Sequence, residues 1–258
     1  MLEYWFLFPV GLAIAALVIS AGVSGATLWV PVYLLWLRLD VALAFWLGLL
    51  TMLFGFGSGV YRYWSDGSYD SALVRDYALA TVPAALIGGW ASGLVDQRII
   101  VGLFGIFLFI YAVAIAARTL GNNEVPARRE TISWPAAIIG GALTGFISIG
   151  VGILAMPAVL RHRSSRSPAT GVGSLVMIIF VTSIAATVGR MRPPLIREIA
   201  RQLPELCRIA VWALPAVVIG GQIGPRIART LPSERHARLY FSAVLLVVAV
   251  LTLLRARA

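Results

Sequence analysis

Two glycine-rich stretches hold the hydroxyls and pliable backbone from which a binding site could be built. AGVSGATLWVP (21–31) supplies Gly22, Ser24, Gly25 and Thr27, and ISIGVGILAMP (147–157) supplies Ser148, Gly150 and Gly152. Each stretch runs into a proline, Pro31 or Pro157. Glycine weakens a helix and proline kinks or ends one, so both stretches predict a helix break. A break in apolar surroundings frees backbone N–H groups, and the positive end of a half-helix suits an anion. The chemistry expected is therefore non-covalent: a pair of facing cradles for a small anion. Small residues are also common wherever membrane helices touch. For any single glycine, packing is the simpler account; the repetition of the whole pattern is what favours a site.

Other reactive groups are sparse. Ser174, in GVGSLVM, either faces a site or bonds back to its own helix. Gly22-Val23-Ser24-Gly25 is a GxSG, which raises the alternative of an intramembrane serine protease. That chemistry needs a general base within reach of the serine, and the two histidines, His162 and His236, both lie outside the centres of apolar segments. A non-transporting membrane subunit is a further alternative. Cys207 is the lone cysteine, so neither an intrachain disulfide nor a cysteine-cluster metal site is expected, and no cofactor is implied. Asp40 and Asp96 read as interfacial caps. The absence of a central acid, base or arginine argues against a buried proton relay.

The elements that must position these residues are apolar. Of the 258 residues, 60% are hydrophobic and 12% charged, far from the balance of a soluble domain. Eight windows lack Asp, Glu, Arg and Lys: 4–37, 41–61, 77–95, 99–117, 131–160, 167–189, 209–225 and 239–254. A crossing helix needs about 20 mostly apolar residues, so about eight transmembrane helices are expected, with the lipid bilayer as solvent. Windows one and five are too long for one crossing, which again predicts a broken or re-entrant helix. The N-terminus carries Glu3 and no positive region, and reads as a retained first helix rather than a secretion signal. The net charge of +10 comes with 21 arginines and no lysine, nearly all beside or between windows. That is membrane topology, not nucleic-acid binding.

An internal duplication organises the chain. PAALIGG (83–89) and PAVVIGG (215–221) share their proline and glycine pair at the same spacing, and each follows one of the glycine-rich stretches. The expected fold is an all-α membrane protein of two homologous four-helix halves, 1–120 and 134–258, joined by a polar linker at 121–133. Four crossings per half would make the repeat parallel, and an odd number with a re-entrant hairpin would invert it; both remain open. Asp96, Ser167 and Ser233 are expected helix caps. PPLIREIARQLPEL (193–206) predicts a short interfacial helix, with Leu195, Ile199 and Leu203 on one side. Orientation gives a conflict. With eight crossings, the side bearing both termini collects 12 arginines against nine, which favours termini inside. The first helix, followed by Arg38 with no basic residue before it, favours termini outside, and the flanks are given precedence.

The glycine-rich segment ending in proline, repeated as ISIGVGILAMPAVL and followed by SPATGVGSL, resembles the sulfite exporter TauE/SafE family of bacterial membrane proteins. The likeness extends over essentially the whole chain. It implies a multi-pass protein of the bacterial inner membrane that moves sulfur-containing anions such as sulfite or organosulfonates, by alternating access between the two halves. The implied partner is a small anionic substrate; a homodimer is left open. In the first half, LAFWLGL stands where the second has ATGVGSL, so Ser174 has no counterpart hydroxyl.

Overall fold

The computed structural model describes residues 2–21, 25–121, 131–162, 167–230 and 234–257. Gly22 and Ser24, Ser233 as a cap, and most of the linker (122–130) lie outside the described residues. After a short 3-10 turn at Leu2–Tyr4, the helices are α1 (Leu7–Ala21), α2 (Ala26–Pro31), α3 (Val41–Ser65), α4 (Ser71–Ser92) and α5 (Gln97–Leu120). They continue as α6 (Trp134–Ile147), α7 (Val151–Leu154), α8 (Met156–Leu160), α9 (Pro168–Arg190), α10 (Pro193–Thr230) and α11 (Glu234–Arg257). Beyond Pro31, α2 is prolonged by one widened turn, Val32–Trp36, where Leu37 N–H bonds Val32 O five residues back.

Among the described residues, five helices are long and apolar enough to cross a membrane: α3, α5, α9, α10 and α11. The fourth helix, of 22 residues, has the length but opens with Arg75 and Asp76. Window five is divided after Ile147, as its length and glycines predict; residues 22–24 of window one lie outside the described residues. Two expected caps form: Asp96 accepts from Arg98 N–H at 2.7 Å and Ser167 from Thr170 N–H at 3.1 Å. Asp40 precedes α3 without capping it, and its carboxylate instead accepts from Gln202 at 3.2 Å.

PPLIREIARQLPEL departs from expectation. It is not a separate interfacial helix but the first turns of α10, which runs unbroken for 38 residues, about 57 Å at 1.5 Å per residue. Leu195 and Ile199 pack on the core, while Leu203 is 51% exposed. Tyr4 and Glu3 of the N-terminal turn hold this extension, by hydrogen bonds to Glu205 (2.9 Å) and from Arg208 (3.3 Å).

Contacts between helices fix their directions. Gly57 and Gly59 of α3 meet Phe180 and Val176 of α9, so these two run antiparallel. Gly105 and Ala112 of α5 meet Leu253 and Ser242 of α11, also antiparallel. The α4 helix lies parallel to both α6 and α9: Thr81 and Ala85 touch Gly141 and Gly145, and Asp70 and Thr81 are hydrogen-bonded to Ser174 and Thr182. In the same way α10 lies parallel to α1 and α3: Tyr4 and Gly11 meet Glu205 and Ala216, and Gly55 and Ser58 meet Val217 and Gln222. Backbones approach closely because the touching positions are glycine. A Cβ on Gly141 would stand 2.6 Å from Thr81 O, and one on Gly89, in the first PAxxIGG motif, 2.8 Å from Ala186 O.

Candidate functional site

The second glycine-rich stretch is a reversal of the chain. Had α6 continued straight, Val151 would lie about 16 Å along the axis from Gly140. Instead a Cβ built on Gly140 would stand 2.9 Å from Val151 Cα, so the segment after Ile147 folds back along α6. Ser148 makes the turn in the left-handed region, φ 60° and ψ 11°, at a cost of about 1–2 kcal/mol for a residue with a Cβ. Its hydroxyl offsets this by donating to Phe45 O of α3 at 3.0 Å. Gly150 must be glycine, because a Cβ there would press on Gly140 O, Leu143 and Thr144 N. Thr144 ties the returning strand down: its Oγ1 accepts from Val151 N–H at 2.9 Å and donates to Gly140 O at 2.8 Å.

The reversal is enclosed from Ser148 through Gly152, yet its backbone is not fully satisfied. The N–H groups of Ile149, Gly150 and Gly152 make no hydrogen bond to the described residues. Buried backbone donors almost always find a partner; inside a membrane protein, irregular backbone persists where it lines a cavity.

At the open end of α6 stands Arg190, the last residue of α9 and 5% exposed. Its Nε donates to Gly145 O at 2.9 Å and its Nη2 to Phe146 O at 2.6 Å. The guanidinium carbon lies 5.4 Å from the centroid of the Phe45 ring, a cation–π contact. Phe45 is itself held edge-on by Phe104, 5.1 Å away. Ser148 and Arg190 therefore converge on one residue of α3, the first through its carbonyl and the second through its ring. No carboxylate lies within ion-pair distance of Arg190 among the described residues.

The other candidates are distributed more widely. Gly25 leads into α2, its carbonyl accepting from the N–H groups of Leu28 and Trp29, both at 3.1 Å. Thr27 is buried within α2. The α2 segment docks on α3 one and two turns beyond Phe45: Val30 fills the space over Gly48, and Tyr33 is hydrogen-bonded to Thr51 at 2.8 Å. The two glycine-rich segments thus share α3 as their common support. Ser174 lies elsewhere. Its hydroxyl accepts from Asp70 N–H and donates to Thr170 O, both at 2.8 Å, clasping α9 to the start of α4. That is the end of α4 remote from Gly88 and Gly89, which neighbour α6 and Arg190.

Arg190 is the residue that sequence reasoning missed. It closes window six, where an arginine reads as an ordinary topological flank, and Arg192 beside it remains outside the core. Nothing local distinguishes the two. The comparisons agree with the architecture: a sequence family described as Sulfite exporter TauE/SafE matches residues 7–252. No curated protein and no solved structure matches significantly. With nearly its whole length matched, this chain belongs to the sulfite exporter TauE/SafE family of membrane transporters.

Proposed function

We propose that the protein exports small sulfur-containing oxyanions, such as sulfite or organosulfonates, by alternating access around a site between two inverted halves. Family membership supplies the substrate class. The observation that carries the site is the enclosed reversal at Ser148–Gly152, with N–H groups that have no partner among the described residues and a buried arginine beside it. We keep Gly22, Ser24, Gly25 and Thr27 of the first half as substrate-binding residues, and assign the described pair, Gly25 and Thr27, to the opposite wall of the same site. Ser174 stays in the proposal as a residue of the α4–α9 contact rather than a direct ligand.

Inversion is supported by helix direction. If α1–α5 correspond to α6–α11, with the pair α7–α8 matching α2 and its extension, then α3 matches α9 and α5 matches α11. Both pairs are antiparallel. A repeat about the membrane normal would make them parallel. The neighbours exchange as well: α4 packs on α6 and α9 as α10 packs on α1 and α3. Each half then contributes a re-entrant hairpin and three crossing helices, and both termini share one side.

With this topology the two signals for orientation point the same way. Assigned to the nearer helix end, 12 of the 21 arginines now flank the loops after α3, α5, α8 and α10, and nine lie on the side of the termini. Basic residues favour the cytoplasm, so both termini face the periplasm, in agreement with the flanks of the first helix. Purified protein in liposomes tests the function: saturable flux of sulfite or a sulfonate is expected, measured across an anion panel with and without a pH gradient. Absence of flux for every anion in the panel refutes the reading.

A further inference from the structure

The two hydrogen bonds of Arg190 use one edge of its guanidinium. The Nε–H and the Nη2–H beside it grip the last carbonyls of α6, leaving the outer edge, one N–H on each of Nη1 and Nη2, without a partner among the described residues. Arg190 as a whole keeps 5% of its surface exposed. Charge leads to the same place. The C-terminal end of a helix carries roughly half a negative charge, which compensates only part of a full positive one, and no carboxylate among the described residues makes up the rest. An incompletely neutralised cation in a protein interior is costly unless something pairs with it, and intramembrane arginines mark ion pathways.

We propose that Arg190 is the anion-binding residue of the transport site, its outer edge taking two oxygens of one oxyanion beside the Ser148–Gly152 reversal, whose Ile149, Gly150 and Gly152 N–H groups have no partner among the described residues. The inference rests on the transport reading above and deepens it. Two parallel N–H groups match two oxygens on one sulfur, whereas a monatomic ion engages the pair poorly. The site therefore selects oxyanions over halides by shape. Lysine would keep the charge and lose the fork. The arginine nearest the matching end of α3, Arg62, is exposed and lies 3.9 Å from the Asp66 carboxylate instead, so one anion binds per chain.

The test is sulfite binding to purified full-length protein, read by calorimetry and by the ligand-induced rise in melting temperature, with chloride as the halide control. The wild type should bind sulfite at least tenfold more tightly than chloride. Arg190→Lys should weaken sulfite about 10- to 100-fold while leaving chloride nearly unchanged, a split that loss of a helix clasp alone would not produce. Arg190→Gln should abolish the sulfite-induced shift. A folded Arg190→Gln or Arg190→Lys protein with wild-type sulfite affinity overturns the inference while leaving transport standing. Should the glutamine variant fail to fold, the lysine variant and the wild-type sulfite/chloride ratio decide; equal affinity for the two anions overturns it. A wild type that neither binds nor moves any anion refutes both readings together.

Discussion

Gly145→Ala is the sharpest test of how the reversal is held. Gly145 lies on α6 one turn before the chain turns back, and its carbonyl receives Arg190 Nε. A Cβ there would stand 2.5 Å from Gly89 N and 2.9 Å from Gly88 C, and closer still to Ala85 O. All three are backbone atoms of α4, so no side chain can swing aside. Reaching ordinary contact requires the helices to part by about an ångström. Overpacking of this kind costs about 1–3 kcal/mol, and a rigid backbone neighbour puts it near the upper end. Alanine's better helix propensity returns up to about 1 kcal/mol, leaving a net loss of about 2 kcal/mol. At roughly 2–4 °C per kcal/mol for a chain of this size, the melting temperature should fall by about 4–8 °C. Gly102→Ala is the control: its nearest atom, Ala256 Cβ, is 4.0 Å away, so only the propensity gain remains and melting should rise slightly. Fluorescence-detected size exclusion after heating in detergent measures both. If Gly145→Ala melts with the wild type, the α4–α6 contact is looser than described and the argument fails.

Three further outcomes are expected. Ser148→Ala loses the hydrogen bond to Phe45 O and keeps the left-handed strain, so it should cost about 1 kcal/mol, whereas Ser148→Gly, which relieves the strain, should melt near the wild type; the reverse order would contradict the geometry. Thr182 donates to Thr81 Oγ1 at 2.8 Å across the α4–α9 contact, so a double-mutant cycle with valine at both positions should give a coupling of about 1 kcal/mol, and additivity would show the bond to be unimportant. A periplasmic alkaline phosphatase fused after Ala258 should be active and a cytoplasmic fluorescent fusion dark; the opposite pattern would invert the orientation derived from the arginines.

Much of this was legible in the chain itself. Charge-free windows mark the long helices because a lipid-facing segment must be apolar throughout, a constraint that acts residue by residue and needs no knowledge of neighbours. The break at 148–150 follows from its glycines for the same local reason. Where the pattern was local but the outcome was not, expectation failed. PPLIREIARQLPEL has the composition of an interfacial helix, but Pro204 is accommodated and the segment continues as α10, held by Tyr4 and Glu3 from the far end of the chain.

The candidate site divides along the same line. Composition and spacing alone determined that the chain is apolar, arginine-flanked and rich in glycine at two stretches, because each of these is a property of consecutive residues. Only the tertiary structure decided that the second stretch folds back on α6 rather than running on, that Ser174 serves the α4–α9 contact, and that Arg190 is buried against Phe45 while Arg192 is not. The physical reason is that an arginine's burial depends on what stands across from it: the unpaired carbonyls of Gly145 and Phe146, 45 and 44 residues earlier, are what draw this one inward.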